Sequence, residues 1–176
     1  MQRIAIIGCG GSGKTMLANA LAARLGIPVI HIDSHYWQLR DGRRVESTPE
    51  QWAACHRELV GRPQWVMDGM KLGVLPERLA RADAIIYLDL STRACLAGVI
   101  RRRIRYRGQL RPDLGVYDQI SWEFLRWVWS LRHRQRPALL EALARFEGQT
   151  FVLHHRTEVR RFLDMIDAPN RPASVS

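Results

Sequence analysis

The segment Gly8-Cys-Gly-Gly-Ser-Gly-Lys14-Thr15 restricts this chain more than any other stretch of it. It follows a short β-branched apolar run, Arg3-Ile-Ala-Ile-Ile7, and precedes an alanine- and leucine-rich segment with helical spacing that stops at Gly26. A strand running straight into glycines and then a helix suits one task above others. Glycines admit left-handed backbone angles, so successive N–H groups converge on an anion. The helix start adds the positive end of its dipole. A lysine and a hydroxyl at the last two positions complete the G-x-x-x-x-G-K-[ST] pattern of a loop that cradles nucleotide phosphates. Gly8, Cys9, Gly10, Gly11, Ser12, Gly13, Lys14 and Thr15 are therefore the expected nucleotide-binding residues. Lys14 is expected to reach the β- and γ-phosphates, and Thr15 to offer its hydroxyl to Mg²⁺.

The rest of the chain continues the alternation. Further strands are expected at 28–32, 64–67, 84–88 and 150–153, and helices near 14–25, 48–60, 75–82, 92–105 and 158–166. Thr48-Pro-Glu-Gln51 carries an N-cap, a proline at the first helical position and a capping-box glutamine. Strands alternating with helices predict a parallel α/β sheet with right-handed crossovers. Residues 106–148 break that rhythm and read as an insertion between the fourth and fifth strands, with helices expected at 119–132 and 137–147 and a lid at about 102–136. Residues 1–166 form one expected domain and 167–176 a loose tail.

Carboxylates at the carboxyl ends of parallel strands face the ligand crevice in such a sheet. Asp68 is expected to organise Mg²⁺, with Asp89 competing for that role. Asp33 is placed to face an acceptor and take a hydroxyl proton. Of 27 cationic residues only Lys14 and Lys71 are lysines, and the formal net charge is +10. Arginine suits planar, bidentate recognition of phosphate. The stretch Arg101-Arg-Arg-Ile-Arg-Tyr-Arg-Gly-Gln-Leu-Arg111 holds no acid. It reads as a lid whose Arg102, Arg107 and Arg111 neutralise a moving phosphoryl group, since phosphoryl transfer needs charge neutralisation above all. The plainer reading is a solvated helix end, where cations also suit the dipole.

Trp122, Leu125 and Trp129 share a helical face near Arg126, Arg132, Arg134 and Arg136. That face either stacks bases of a nucleic acid or belongs to the core. Adjacent His154 and His155 point to opposite sides of a strand end and are discounted as metal ligands. Cys9, Cys55 and Cys95 are odd in number and lack C-x-x-C spacing, so neither a disulfide framework nor a zinc site is indicated. No apolar run approaches the ~20 residues of a membrane span, and a cytoplasmic protein is expected.

Together, the phosphate loop, Asp33, Asp68-Gly69, Tyr87-Leu-Asp89 and the arginine-rich insertion resemble adenylate kinase-like P-loop kinases. Tyr36-Trp37 after His31-Ile-Asp33, Trp65–Gly69, the Arg105-to-Asp113 segment and Phe124–Trp129 resemble more closely the small bacterial proteins known as DNA topology modulation proteins. The resemblance covers about residues 1–166. It implies a P-loop NTPase three-layer sandwich, with a five-stranded parallel sheet in order 2-3-1-4-5 and a helical lid. It also implies ATP and Mg²⁺ at the loop, Arg156 near the base, and transfer of the γ-phosphate to a small-molecule acceptor. The alternative it carries is an ATP-dependent, DNA-binding regulatory protein. Met70-Lys71 stands where adenylate kinases have Phe-Pro-Arg, so the arginine that would hold a nucleoside monophosphate is missing.

Overall fold

The computed structural model describes residues 1–40, 43–107, 109–111, 116–117 and 122–167. Its centre is a five-stranded parallel sheet built from β1 (Arg3–Gly8), β2 (Val29–His31), β5 (Trp65–Asp68), β6 (Ala84–Leu88) and β9 (Gln149–Leu153). The order is β2-β5-β1-β6-β9. Within this sheet that is second-third-first-fourth-fifth. The labels differ from the expected ones because two short antiparallel ribbons intervene, β3 (Trp37–Arg40) with β4 (Arg43–Glu46), and β7 (Leu110–Arg111) with β8 (Val116–Tyr117). Alternation within the hydrophobic stretches gives no sign of the ribbons.

Three layers follow from the pleat. Successive side chains of β1 point to opposite faces. Ile4 and Ile6 pack with Leu17 and Leu21 of α1 (Lys14–Leu25), Cys95 of α5 (Thr92–Arg105) and Phe162 of α7 (Arg156–Asp167). Ala5 and Ile7 face the other way, onto Trp52 and Leu59 of α3 (Pro49–Gly61), Leu75 of α4 (Leu75–Leu79), and Leu139 and Leu143 of α6 (Trp122–Ala144). Ile4, Ile6 and Ile7 are almost wholly buried. A strand covered on both faces reads as one unbroken apolar run, which is why β1 and β6 stand out in the sequence.

The local signals act as their chemistry dictates. Thr48 Oγ1 accepts from the Gln51 N–H at 3.3 Å and Gln51 Oε1 from the Thr48 N–H at 3.3 Å, closing the capping box of α3. Gly26 ends α1 with φ of 65° and donates its N–H to the Ala22 carbonyl.

Three expectations need correction. The second strand stops at His31, and Asp33 lies in the short helix α2 (Ile32–Tyr36) rather than at a strand end. The two helices expected after the insertion are one, running from Trp122 to Ala144 through Pro137. A proline removes one i→i−4 hydrogen bond. Buried Val128, Leu139 and Leu143, on both sides of Pro137, hold the helix against the sheet and offset that loss. On the same helix Trp129 is 59% exposed, so it is not core; Val128 is the buried position instead. The side chains of Trp122, Leu125 and Arg132, and the tail 168–176, lie outside the described residues. No helix among the described residues is long and apolar enough to cross a membrane.

Candidate active site

The loop between β1 and α1 lies at the carboxyl end of the central strand. Gly13 is the N-cap of α1 at φ of 100°, a left-handed angle that glycine adopts without cost. Ser12 donates its N–H to the Cys9 carbonyl at 3.2 Å, which closes the turn. Behind the loop runs α5. A Cβ on Gly98 would collide with the Gly11 carbonyl oxygen, and one on Gly11 with the Cys95 carbonyl oxygen. Helix and loop thus meet backbone to backbone, an approach only two glycines permit.

Lys14 Nζ donates to the Cys9 carbonyl at 3.0 Å. The Ser12 hydroxyl is buried and, among the described residues, has no hydrogen-bond partner. A buried orphan hydroxyl is rare enough to require a reason. A phosphate oxygen in the glycine cradle would satisfy it, so the loop residues fit a nucleoside triphosphate. The Cys9 thiol is held protonated by its hydrogen bond with the Cys95 thiol and by burial, which together push its pKa far up. Cys9 therefore contributes backbone and packing, not a nucleophile.

Asp68, the last residue of β5, is 4% exposed. Thr15 Oγ1 donates to its Oδ2 at 2.9 Å, and His31 Nδ1 lies 2.5 Å from its Oδ1. The parallel register of β2 on β5 pairs His31 with Asp68, so the imidazole arrives by sheet geometry. Two hard oxygen donors, Thr15 Oγ1 and an Asp68 carboxylate, stand together beside the loop, a donor set that suits Mg²⁺. His31 was not among the expected site residues; only the strand order reveals it.

Asp89 is differently engaged. Arg136 Nε donates to its Oδ1 and Oδ2 at 3.1 and 3.0 Å, and Arg136 Nη2 to Oδ2 at 2.8 Å. Tyr87 Oη donates to Oδ1 at 3.1 Å, and His154 Nδ1 lies 3.6 Å from Oδ2. This carboxylate anchors α6 to the end of β6. A narrow cavity opens beside it, lined by Cys9, Met70, Asp89, Val128 and Arg136.

On the far side of Asp68 a second polar cluster forms. The Asp33 residue is exposed on α2. Lys71 Nζ lies 3.3 Å from the centre of the Tyr36 ring, and Tyr36 Oη donates to Glu46 Oε2 at 2.9 Å. Burial lowers the Lys71 pKa, opposed by the charges of Asp33 and Glu46. Arg78 is fully buried and donates Nη1–H to the Gly69 carbonyl at 3.0 Å; among the described residues its Nε and Nη2 have no partner. Burial brings its pKa down to about 10, opposed by Asp68 and Asp33, so it stays charged at neutral pH.

The arginines separate. Arg156 Nη2 donates to the Gly11 carbonyl at 3.3 Å and the Ala94 carbonyl at 3.4 Å, so it lies on the loop itself. Arg102 is half-buried and one helical turn beyond Gly98, roughly 6 Å along the axis. Arg107 is exposed just past the end of α5. The side chain of Arg111 lies outside the described residues. The fold thus brings Gly8–Thr15, Asp68 and Arg156 together, while Asp33 flanks them on its own helix.

No family model matches the chain, and no curated protein matches it by sequence. Solved structures do. Shikimate kinase from Acinetobacter baumannii, in complex with shikimate, has a TM-score of 0.56 at 16% identity, over 98% of this chain and 96% of its own. Shikimate kinase from Bacteroides thetaiotaomicron has a TM-score of 0.56 at 17% identity, over 96% and 98%. A gluconokinase from Sinorhizobium meliloti 1021 has a TM-score of 0.52 at 19% identity, over 95% and 90%. This chain has the fold of the P-loop kinases. At such identity the likeness concerns architecture alone.

Proposed function

We propose that the protein is an ATP-dependent phosphotransferase acting on a small hydroxylated acceptor in the reducing cytoplasm. The observation that carries this reading is the phosphate loop on a kinase fold, with the Thr15 hydroxyl hydrogen-bonded to Asp68 at 2.9 Å. In this reading the loop N–H groups and Lys14 bind the triphosphate, Lys14 leaving the Cys9 carbonyl for the β- and γ-phosphates. Thr15 and Asp68 hold the metal, with His31 fixing the carboxylate. Bound Mg²⁺ supplies charge neutralisation across the phosphates. Asp33 orients the acceptor hydroxyl and takes its proton. Arg102, Arg107 and Arg111 close over the transferring group, and Arg156 braces the loop near the base. A P-loop kinase fold seen with shikimate in one solved structure and borne by a gluconokinase in another is consistent with a small polyol acceptor.

The motifs at Tyr36-Trp37, Trp65–Gly69 and Phe124–Trp129 support grouping the chain with the DNA topology modulation proteins. A second reading, nucleotide-dependent DNA binding, is favoured by one feature: Arg101, Arg103, Arg105 and Arg107 are all exposed toward the end of α5. Binding by charge alone would be sequence-blind and fall steeply with salt, because counterion release drives it.

The deciding experiment is a phosphate-transfer screen of purified protein with ATP and Mg²⁺ against nucleosides, nucleoside monophosphates, sugars and sugar acids. Calorimetry on Lys14→Ala accompanies it. Transfer to one acceptor class, and loss of ATP binding in the variant, is the expected result. Unchanged ATP affinity in Lys14→Ala, or salt-insensitive and sequence-selective DNA binding without transfer, refutes the kinase reading.

A further inference from the structure

Helix α5 has two sides with different fates. On the inward side Cys95 and Val99 are buried and Gly98 meets the phosphate loop. On the outward side Arg93, Ala97, Ile100 and Ile104 recur at intervals of four, three and four residues, so they form one stripe along the helix. All four are exposed, Ile100 by 54% and Ile104 by 70%. Arg101 and Arg105, next to the two isoleucines in sequence, are exposed as well. The helix carries no acidic residue. Among the described residues Arg93, Arg101 and Arg105 make no hydrogen bond and no ion pair.

Both halves of this pattern are unfavourable in water. Two isoleucines four residues apart hold an apolar patch in solvent. Arg101 and Arg105 are like charges at the same spacing and repel. A partner that relieves both carries negative charge at its surface and apolar material just beneath it. Nucleic acid supplies the charge and nothing for the isoleucines, and the stripe holds no aromatic ring to stack on a base. A second copy of this chain, itself at a net charge of +10, adds repulsion. Protein interfaces centre on aromatic anchors, which the stripe also lacks. An anionic bilayer offers what remains: lipid phosphates and carboxylates at the surface, with acyl chains directly below them. Arginine stems lie along that boundary while their guanidinium heads stay among the headgroups.

We propose that the outward face of α5 docks on the surface of an anionic lipid bilayer, with Ile100 and Ile104 entering the headgroup boundary and Arg93, Arg101 and Arg105 among the lipid phosphates. This goes beyond the kinase reading and does not rest on it. The contact is peripheral, since only one side of a core-packed helix takes part. Gly98 and the phosphate loop lie on the other side of α5, so docking leaves the loop uncovered.

Sedimentation of the full chain with vesicles tests this. Vesicles of phosphatidylcholine alone are compared with vesicles that also contain phosphatidylserine. The expected result is binding about tenfold stronger or more to the anionic vesicles, weakening as salt rises. Ile100→Ser with Ile104→Ser leaves the charge unchanged and should weaken that binding roughly fivefold or more. Arg101→Ser with Arg105→Ser should weaken it about tenfold or more. Arg160→Ser with Arg161→Ser removes the same charge from exposed positions on α7 and should leave binding nearly as it was. Hydroxyl-radical footprinting of the unaltered chain needs no variant: anionic vesicles should protect Ile100 and Ile104 and leave the exposed Met165 of α7 open. Equal binding to neutral and anionic vesicles, full binding by the isoleucine variant, an equal loss in the α7 control, or unprotected Ile100 and Ile104 overturns the proposal. Tighter binding to duplex DNA or to polyglutamate than to anionic vesicles also overturns it, and assigns the face to another class of partner.

Discussion

Replacing Gly98 with alanine sets two known effects against each other at one position. Gly98 lies within α5, where alanine is favoured over glycine by about 1 kcal/mol. Propensity alone therefore predicts a more stable protein. The added methyl, however, would overlap the Gly11 carbonyl oxygen and lie 2.9 Å from Arg156 Nη2. The arginine is the end of a flexible side chain and can retreat. The carbonyl belongs to the phosphate loop and moves only if the loop does. Forced overpacking typically costs about 1–3 kcal/mol, so the net effect is a loss of roughly 0–2 kcal/mol. At about 2–4 °C per kcal/mol for a domain of this size, the melting temperature should fall by up to about 8 °C. The functional cost is larger, because in the proposed function the displaced atoms are those that cradle phosphate. ATP affinity should fall at least tenfold, equivalent to about 1.4 kcal/mol. Differential scanning calorimetry and ATP titration on the same preparation measure both. Gly61→Ala is the control: it ends α3 with nothing within 4 Å of an added Cβ, and should be neutral or stabilising by up to about 1 kcal/mol. If Gly98→Ala melts higher than the parent and binds ATP equally well, the contact between helix and loop is not the constraint inferred here.

Arg136→Ala removes the bidentate partner of buried Asp89 and should cost roughly 1–3 kcal/mol, read as a lowered melting temperature that Arg136→Lys recovers only in part. In the proposed mechanism Arg102, Arg107 and Arg111 act on the transition state, so alanine at any of them should lower kcat more than it raises the KM for ATP; normal turnover in all three would make the basic run a solvated surface. His56 is fully buried beside Glu77, with Arg78 nearby, and burial lowers its pKa despite the Glu77 hydrogen bond. The unfolded chain then binds the proton first, so stability should fall as pH drops below the ordinary histidine value of about 6.5; thermal melts from pH 7.5 to 5 should show that slope, and His56→Gln should flatten it.

The sheet and the loop could be read from sequence because their signals are local. β1 and β6 are buried on both faces and show as unbroken apolar runs, and the glycine-lysine-threonine spacing fixes the loop by itself. What escaped depends on contacts between distant segments. His31 reaches Asp68 only through the register of β2 on β5. Arg136 meets Asp89 across 47 residues, and its neighbours in sequence suggested base stacking instead. Arg78 reads as one more surface arginine in a chain full of them, yet it is fully buried. Pro137 argued for two helices, since a local rule cannot weigh the buried leucines that follow it.

The Asp89–Arg136 pair and the Gly11–Gly98 contact also bear on how this architecture can vary. Both ends of the insertion are tied down at the carboxyl ends of two neighbouring inner strands, its entry by α5 on the loop after β1 and its exit by α6 on Asp89 after β6. Chain between two fixed points adds closure entropy only logarithmically, about 0.6 kcal/mol for each doubling of its length. The sheet therefore tolerates insertions of different length and composition at nearly constant stability. A replacement insertion needs only to begin after Gly98 and to return an arginine to Asp89 for the loop and the sheet to keep their packing.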